Sequence, residues 1–180
     1  MHRLLLACLV LALLSGCALP SPSASRTEYQ LGVDAFRSKN YASARLHWSR
    51  AAEGRDASAV SNLGFLLHRG LGGEPDQVRA VSLWTRAAKS GHPEAQRHLG
   101  HAYETGQGTT QDLGEAYAWY RCSIASAQAA PADDELAALV AQDARKALAS
   151  LLPKLPVDQL AASELLARRY IASYATAAPL

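Results

Sequence analysis

Residues 51–73, AAEGRDASAVSNLGFLLHRGLGG, return 36 positions later as residues 87–109, AAKSGHPEAQRHLGHAYETGQGT. Under that offset Ala59 meets Ala95, Leu63-Gly64 meets Leu99-Gly100, Gly70 meets Gly106, Gly72 meets Gly108 and Asp76 meets Asp112. The same offset carries Ala44 to Ala80 to Ala116, and Trp48 to Trp84 to Tyr120. Self-similarity at such a period marks a stacked repeat, in which each unit buries its apolar face against its neighbours.

Each unit reads as two helices. Leu63, Leu66 and Leu67 make one apolar stripe at helical spacing, with Gly64 a position lacking a side chain. A glycine inside a helix costs about 1 kcal/mol against alanine, so its return at Gly100 calls for a second helix approaching closely. Gly70 and Gly106 fall where the first helix should stop, and glycine readily takes the left-handed conformation that closes a helix. Asp76 and Asp112 stand at the start of the second helix, where a carboxylate accepts from free N–H groups. Along that helix Ala80, Leu83, Trp84, Ala87 and Ala88 mix small and large side chains, a pattern that packs two helices tightly. The expected fold is all-α, an α-solenoid of stacked antiparallel helix hairpins.

Upstream, residues 29–54, YQLGVDAFRSKNYASARLHWSRAAEG, keep Leu31-Gly32 and Ala44 but lack the glycine loop, which predicts a plain hairpin. Beyond residue 130 the repeat stops. Residues 132–152, ADDELAALVAQDARKALASLL, place Leu136, Leu139, Val140, Leu148, Leu151 and Leu152 largely on one face, behind the acidic first turn of Asp133, Asp134 and Glu135. Pro153 and Pro156 interrupt the chain before a last helix, Asp158 to about Tyr174. These helices are expected to cap the stack, with Arg168-Arg169 on a solvated face.

The N-terminus is organised differently. Arg3 precedes an apolar run from Leu4 to Leu14, then Ser15 and Gly16, the layout of a secretory signal peptide. The run is about half the ~20 residues that span a bilayer as a helix. The 180 residues, 49% of them hydrophobic, suffice for one domain with a core, and a formal charge of +2 gives no nucleic-acid footprint. Aromatic residues make up only 7%, which suits alanine-rich helices better than a β-sandwich.

Residues 63–123 resemble the Sel-one-like repeat (SLR) family, a relative of the tetratricopeptide repeat. Its pattern is met at Ala95, Leu99, Gly100, Tyr103, Gly106, Gly108, Asp112, Ala116, Trp119 and Tyr120, and at Ala87, Ala88 and Gly91. The resemblance extends over roughly residues 29–128, with departures at Leu67, where a tyrosine is expected, and at Cys122-Ser123-Ile124, in place of Lys-Ala-Ala. Leu14-Ser15-Gly16-Cys17 similarly resembles the lipobox of bacterial lipoproteins, which implies a diacylglyceryl group on Cys17 after cleavage before it. Several acyl chains anchor a protein stably where one does not. Ala18 after the cysteine implies the outer membrane by the sorting rule of enteric-type bacteria. The divisions expected are a signal peptide 1–16, the lipidated Cys17 and tether to residue 26, a first hairpin 27–56, repeats 57–92 and 93–130, and a cap 131–180. Cys8 would leave with the leader and Cys17 be used for lipid, so Cys122 is the one thiol left, with a packing role and no internal disulfide.

Few features point to chemistry. Gly-x-Ser-x-Gly, Ser-x-x-Lys, His-Glu-x-x-His, Cys-x-x-Cys and a lysine after a glycine loop are all absent from the sequence. His98 and His101 are spaced like metal ligands on one helix, but two fall short of the four of a structural zinc site. No catalytic residue, metal or cofactor is expected. The resemblance implies a groove lined by the first helices, presenting Phe36 and Arg37, then Asn62, Phe65 and Arg69, then Arg97, His98, His101 and Glu104. Aromatic and arginine side chains carry most interface energy, so the expected ligand is a partner segment with an apolar anchor and an acidic group. The function expected is a lipid-anchored adaptor of the bacterial envelope facing the periplasm, with scaffolding of exopolysaccharide export among the roles the family allows. The rival class is a periplasmic hydrolase of peptidoglycan or β-lactams, attributed to members rich in paired cysteines.

Overall fold

The computed structural model describes residues 27–175. The leader, Cys17, the tether and residues 176–180 lie outside the described residues. Within them the chain forms helices α1 (Glu28–Arg37), α2 (Tyr41–Glu53), α3 (Ala57–Arg69), α4 (Gln77–Lys89), α5 (Pro93–Thr105), α6 (Leu113–Gln128), α7 (Glu135–Leu151) and α8 (Val157–Tyr170). Helices α1 with α2, α3 with α4 and α5 with α6 pack as hairpins, and α2 on α3 and α4 on α5 stack one hairpin on the next. The architecture is the helical solenoid that the period of 36 implies.

Helix ends follow from local chemistry. Thr27, Asn40, Asp56, Asp76, His92, Asp112 and Asp134 each accept a backbone N–H of the first turn of α1 to α7, and Gln30 completes a capping box with Thr27. Gly70 and Gly106 close α3 and α5 at φ 66° and 72°, where a Cβ would be strained. In the first unit Ser38, Lys39 and Asn40 alone join the helices, the plain hairpin that the missing glycine loop predicts.

The core repeats one contact. A Cβ at Gly64 would stand 2.6 Å from Trp84 Nε1, and one at Gly100 2.8 Å from the Tyr120 ring; at Gly32 it would run into Trp48. Each aromatic ring therefore lies directly on the backbone of the preceding helix. From that position Trp48 Nε1 donates to Tyr29 O at 3.2 Å and Trp84 Nε1 to Ser61 O at 3.1 Å, each carbonyl three residues before the glycine. Tyr120 has no N–H to give. Its hydroxyl instead donates to Glu104 Oε2 at 2.9 Å, and Lys154 Nζ donates to Glu104 Oε1 at 2.8 Å. At the position 36 residues before Glu104 stands His68, whose ring packs on Trp84 with centroids 5.2 Å apart. The side chain beside the core aromatic thus changes with what that aromatic needs.

A second contact joins units. A Cβ at Gly72 would strike the carbonyl of Tyr41, the first residue of α2, and one at Gly108 that of Gln77, the first residue of α4. The second glycine of each loop is where one unit's loop lies against the previous unit's second helix.

The cap departs from the expected leucine stripe. Helix α7 buries Ala137, Val140, Ala141, Ala144 and Leu151, whereas Leu136, Leu139 and Leu152 are 64%, 52% and 44% exposed. Alanines face α6 because the helices approach closely, and Leu136 and Leu139 lie one step around the helix from that face. Helix α8 lies on α6 and is shorter than expected, followed by a widened π turn, Ile171–Ala175. The turn sets both Tyr170 and Tyr174 against Trp119, at 4.5 and 5.7 Å, and returns Ala175 to the main core. Among the described residues no helix is long and apolar enough to cross a membrane.

Gly64→Ala is expected to lower stability by about 1–3 kcal/mol through overpacking, despite the gain of about 1 kcal/mol in helix propensity. Urea unfolding of Gly64→Ala, Trp84→Leu and the double variant should show strong coupling. Additive losses would mean the glycine is not there for the ring.

Candidate functional site

The first helices of the three hairpins line a groove of about 440 Å³: Val33, Phe36 and Arg37 from α1, Asn62 and Phe65 from α3, and Glu94, Arg97 and His98 from α5, with Trp48 from α2 behind them. These are the successive solvent-facing positions of helices whose other faces carry the glycine contacts. Three rings cross it as a row, Phe36 to Phe65 at 6.3 Å and Phe65 to His98 at 6.0 Å. The row rests on the core. Phe36 packs on Trp48 at 5.6 Å, and His98 stacks on Trp84 at 4.9 Å with ring planes 18° apart.

Six of the nine groove residues expected from the sequence are brought together here: Phe36, Arg37, Asn62, Phe65, Arg97 and His98. The structure places the other three elsewhere. Arg69, in the last turn of α3, and His101, on α5, are exposed and line no part of this groove. Glu104 is held between Tyr120 and Lys154 and serves packing. Counting from the Leu-Gly pairs projects too far toward the C-terminal ends of these helices, beyond the residues that line the groove. Glu94 was legible but missed, since it stands four residues before His98 on the same helical face.

Charge in the groove is unevenly distributed. Glu94 Oε1 lies 3.7 Å from His98 Nε2, and that imidazole holds the Glu94 carboxyl below the usual carboxylate range. Burial in turn holds His98 below the ordinary histidine value. Arg97 is half-buried, approaches His98 Nε2 at 3.5 Å, and forms no ion pair with a carboxylate among the described residues; nor does Arg37. The groove therefore offers, beside an aromatic row, two guanidinium groups that form no ion pair with a carboxylate among the described residues, Arg97 acting on Glu94 only through its field.

One pair imitates a nucleophile and its base. Ser58 Oγ lies 3.3 Å from His92 Nε2. The other ring nitrogen, Nδ1, accepts the Ala95 N–H at 3.3 Å as the cap of α5, so the proton sits on Nε2 and is donated to Ser58. A serine nucleophile needs the reverse tautomer, with Nε2 accepting. The contact instead ties the start of α3 to the cap of α5. Cys122 is fully buried, and burial pushes its thiol up to about 12, far from a reactive thiolate. No group of three or more histidine, cysteine or acidic side chains among the described residues could hold a metal ion.

Comparison with known proteins gives one consistent result. A family model for the Sel1 repeat matches residues 27–56, 57–92 and 93–127. The ERAD-associated E3 ubiquitin-protein ligase component HRD3A of Arabidopsis thaliana is 34% identical over 102 residues, which span 56% of this chain and 15% of that protein. Among solved structures, a protective antigen present in uropathogenic Escherichia coli strains and displaying an SLR fold superposes with a TM-score of 0.69 at 29% identity, over 82% of this chain and 30% of its own. A Sel1 repeat protein from Oxalobacter formigenes gives 0.54 at 28% identity, over 57% of this chain and 41% of its own.

Acid should loosen this region. Burial holds His68, His92 and His98 below the ordinary histidine value, so the unfolded chain binds more protons below about pH 6.5. Their contribution is complete at neutral pH and is lost as pH falls toward the folded-state values. An imidazolium at the start of α5 would also lose its acceptor and oppose the helix dipole. His92→Asn keeps a cap that does not titrate, and the fall in Tm between about pH 7.5 and 5 should shrink in that variant. An unchanged slope would rule His92 out as a source.

Proposed function

The chain belongs to the Sel1 repeat family, and from that premise we propose that it is an adaptor, anchored by lipid in the bacterial cell envelope, that holds a partner's segment in the groove of α1, α3 and α5. Solenoids of this kind work as protein-interaction scaffolds. The observation that carries the reading is the row of Phe36, Phe65 and His98 bordered by Arg37 and Arg97. A segment with an apolar side chain for the rings and an acidic group for the guanidiniums complements both, and aromatic and arginine contacts supply the largest shares of interface energy. The row stands on buried tryptophans, so the surface is held in shape before a partner arrives, which lowers the entropy cost of binding.

The anchor rests on Leu14-Ser15-Gly16-Cys17 behind the apolar run Leu4 to Leu14. Ala18 supports an outer-membrane location facing the periplasm. Residues 18–26 would then give the repeats a short tether from the membrane.

A photo-crosslinking amino acid at position 37 should capture a discrete partner in cells, and Phe65→Ala should reduce that capture at least several-fold. One at position 78, on α4 where Val78 is 71% exposed, serves as the off-groove control. Capture only at position 78 would place binding outside the groove.

Cys17→Ser should abolish incorporation of radiolabelled palmitate and move the protein from the membrane to the soluble fraction. Unaltered lipid incorporation would remove the anchor from this reading.

A further inference from the structure

The groove shares part of its wall: Asn62 and Glu94 line both it and a second cavity of about 590 Å³, whose far wall is Pro131, Leu136 and Val140 around the start of α7. Tyr29, Pro93 and several alanines make this second cavity mostly apolar. Among the described residues its charged side chains are Glu94 and Asp134, and no lysine or arginine lines it. His92 also faces it, with Nδ1 committed to the cap of α5 and burial favouring the neutral ring. The two adjoining cavities therefore differ in charge, basic at Arg37 and Arg97 and acidic at the cap.

We propose that the partner segment is extended and dipolar: an acidic residue meets Arg37 and Arg97, and a lysine or arginine lays its stem in the cavity between α5 and α7 with its cation at Glu94 and Asp134. This rests on the adaptor reading above. Charge complementarity selects the occupant. A lysine or arginine side chain is a run of methylenes ending in a cation, which fits a mostly apolar cavity lined, among the described residues, by two carboxylates. A purely apolar side chain would desolvate those carboxylates without returning a counter-charge. Opposite charges at the two ends also fix direction, because a reversed segment sets like charges together at both. Leu136, exposed and off the packing face of α7, then has a use as the wall against which the stem lies.

The test is fluorescence anisotropy of the full chain in detergent with labelled octapeptides of serine and leucine. Four carry Asp then Lys, Lys then Asp, Asp then Leu, or Asp then Ser, five residues apart. One Asp and Lys order should bind about tenfold tighter than the Asp and Ser peptide, and tighter than the Asp and Leu peptide. That ratio should collapse to about one in Leu136→Arg, which places a cation in the cavity, and fall several-fold in Asp134→Asn, which keeps the cap of α7. No gain from lysine, an equal gain from leucine, or a gain that survives Leu136→Arg would each overturn the proposal. In those cases Asp and Ser binding that is lost in Arg97→Gln leaves the groove reading standing. Failure of all four peptides to bind would overturn both.

Discussion

A ring lying on bare backbone is the contact on which the rest of the structure depends. Gly32 under Trp48, Gly64 under Trp84 and Gly100 under Tyr120 set the distance between the two helices of every hairpin. Any larger residue would push the ring away and open a gap through the alanines at 44, 80 and 116, which are fully buried. The cost of a mid-helix glycine, about 1 kcal/mol each, is offset by the burial of a large aromatic surface and, in the first two units, by an indole hydrogen bond to the same backbone.

These rings also serve the surface. Trp84 meets Gly64 on one side, while His98 stacks against it and His68 packs on it at a tilt. Trp48 likewise supports Phe36. The groove is thus a second layer laid on the core, and its side chains inherit the spacing of the repeat. His98, which in isolation invites a metal or catalytic reading, is held by stacking on Trp84 and by Glu94. His92 has an equally structural task as the cap of α5, and its contact with Ser58 joins that cap to α3. Both histidines tie the start of α5 to the helices of the preceding hairpin, so protonation acts where α3, α4 and α5 meet, with His68 on Trp84 beside them.

The cap shows how a solenoid can end and still extend its binding face. Helix α7 takes the place of a further first helix but packs through alanine, leaving Leu136 for the second cavity. The π turn after α8 brings Tyr170 and Tyr174 onto Trp119 and covers the last repeat. Burial raises the Glu115 carboxyl above its usual range, and the Tyr170 hydroxyl, 3.0 Å from both of its oxygens, donates to it and ties the end of α8 to α6.

What the sequence determined by itself was everything that local spacing encodes: the helices, their aspartate and glycine ends, the period of 36 and hence the solenoid. Glycine and its aromatic partner could be paired from that period alone, because both recur in step. Six groove residues were legible for the same reason, as they are the outward positions of helices whose inward positions repeat. Arg69, His101 and Glu104 were not, since register alone does not say how far a groove extends along its helices. The second cavity was invisible in the sequence. It is assembled from Tyr29, α3, the start of α5, the end of α6, α7 and Ala175, and only tertiary packing brings segments so distant together. The leucines of α7 illustrate the same limit: periodicity marks an apolar stripe, but which face turns inward is decided by how closely α6 can approach.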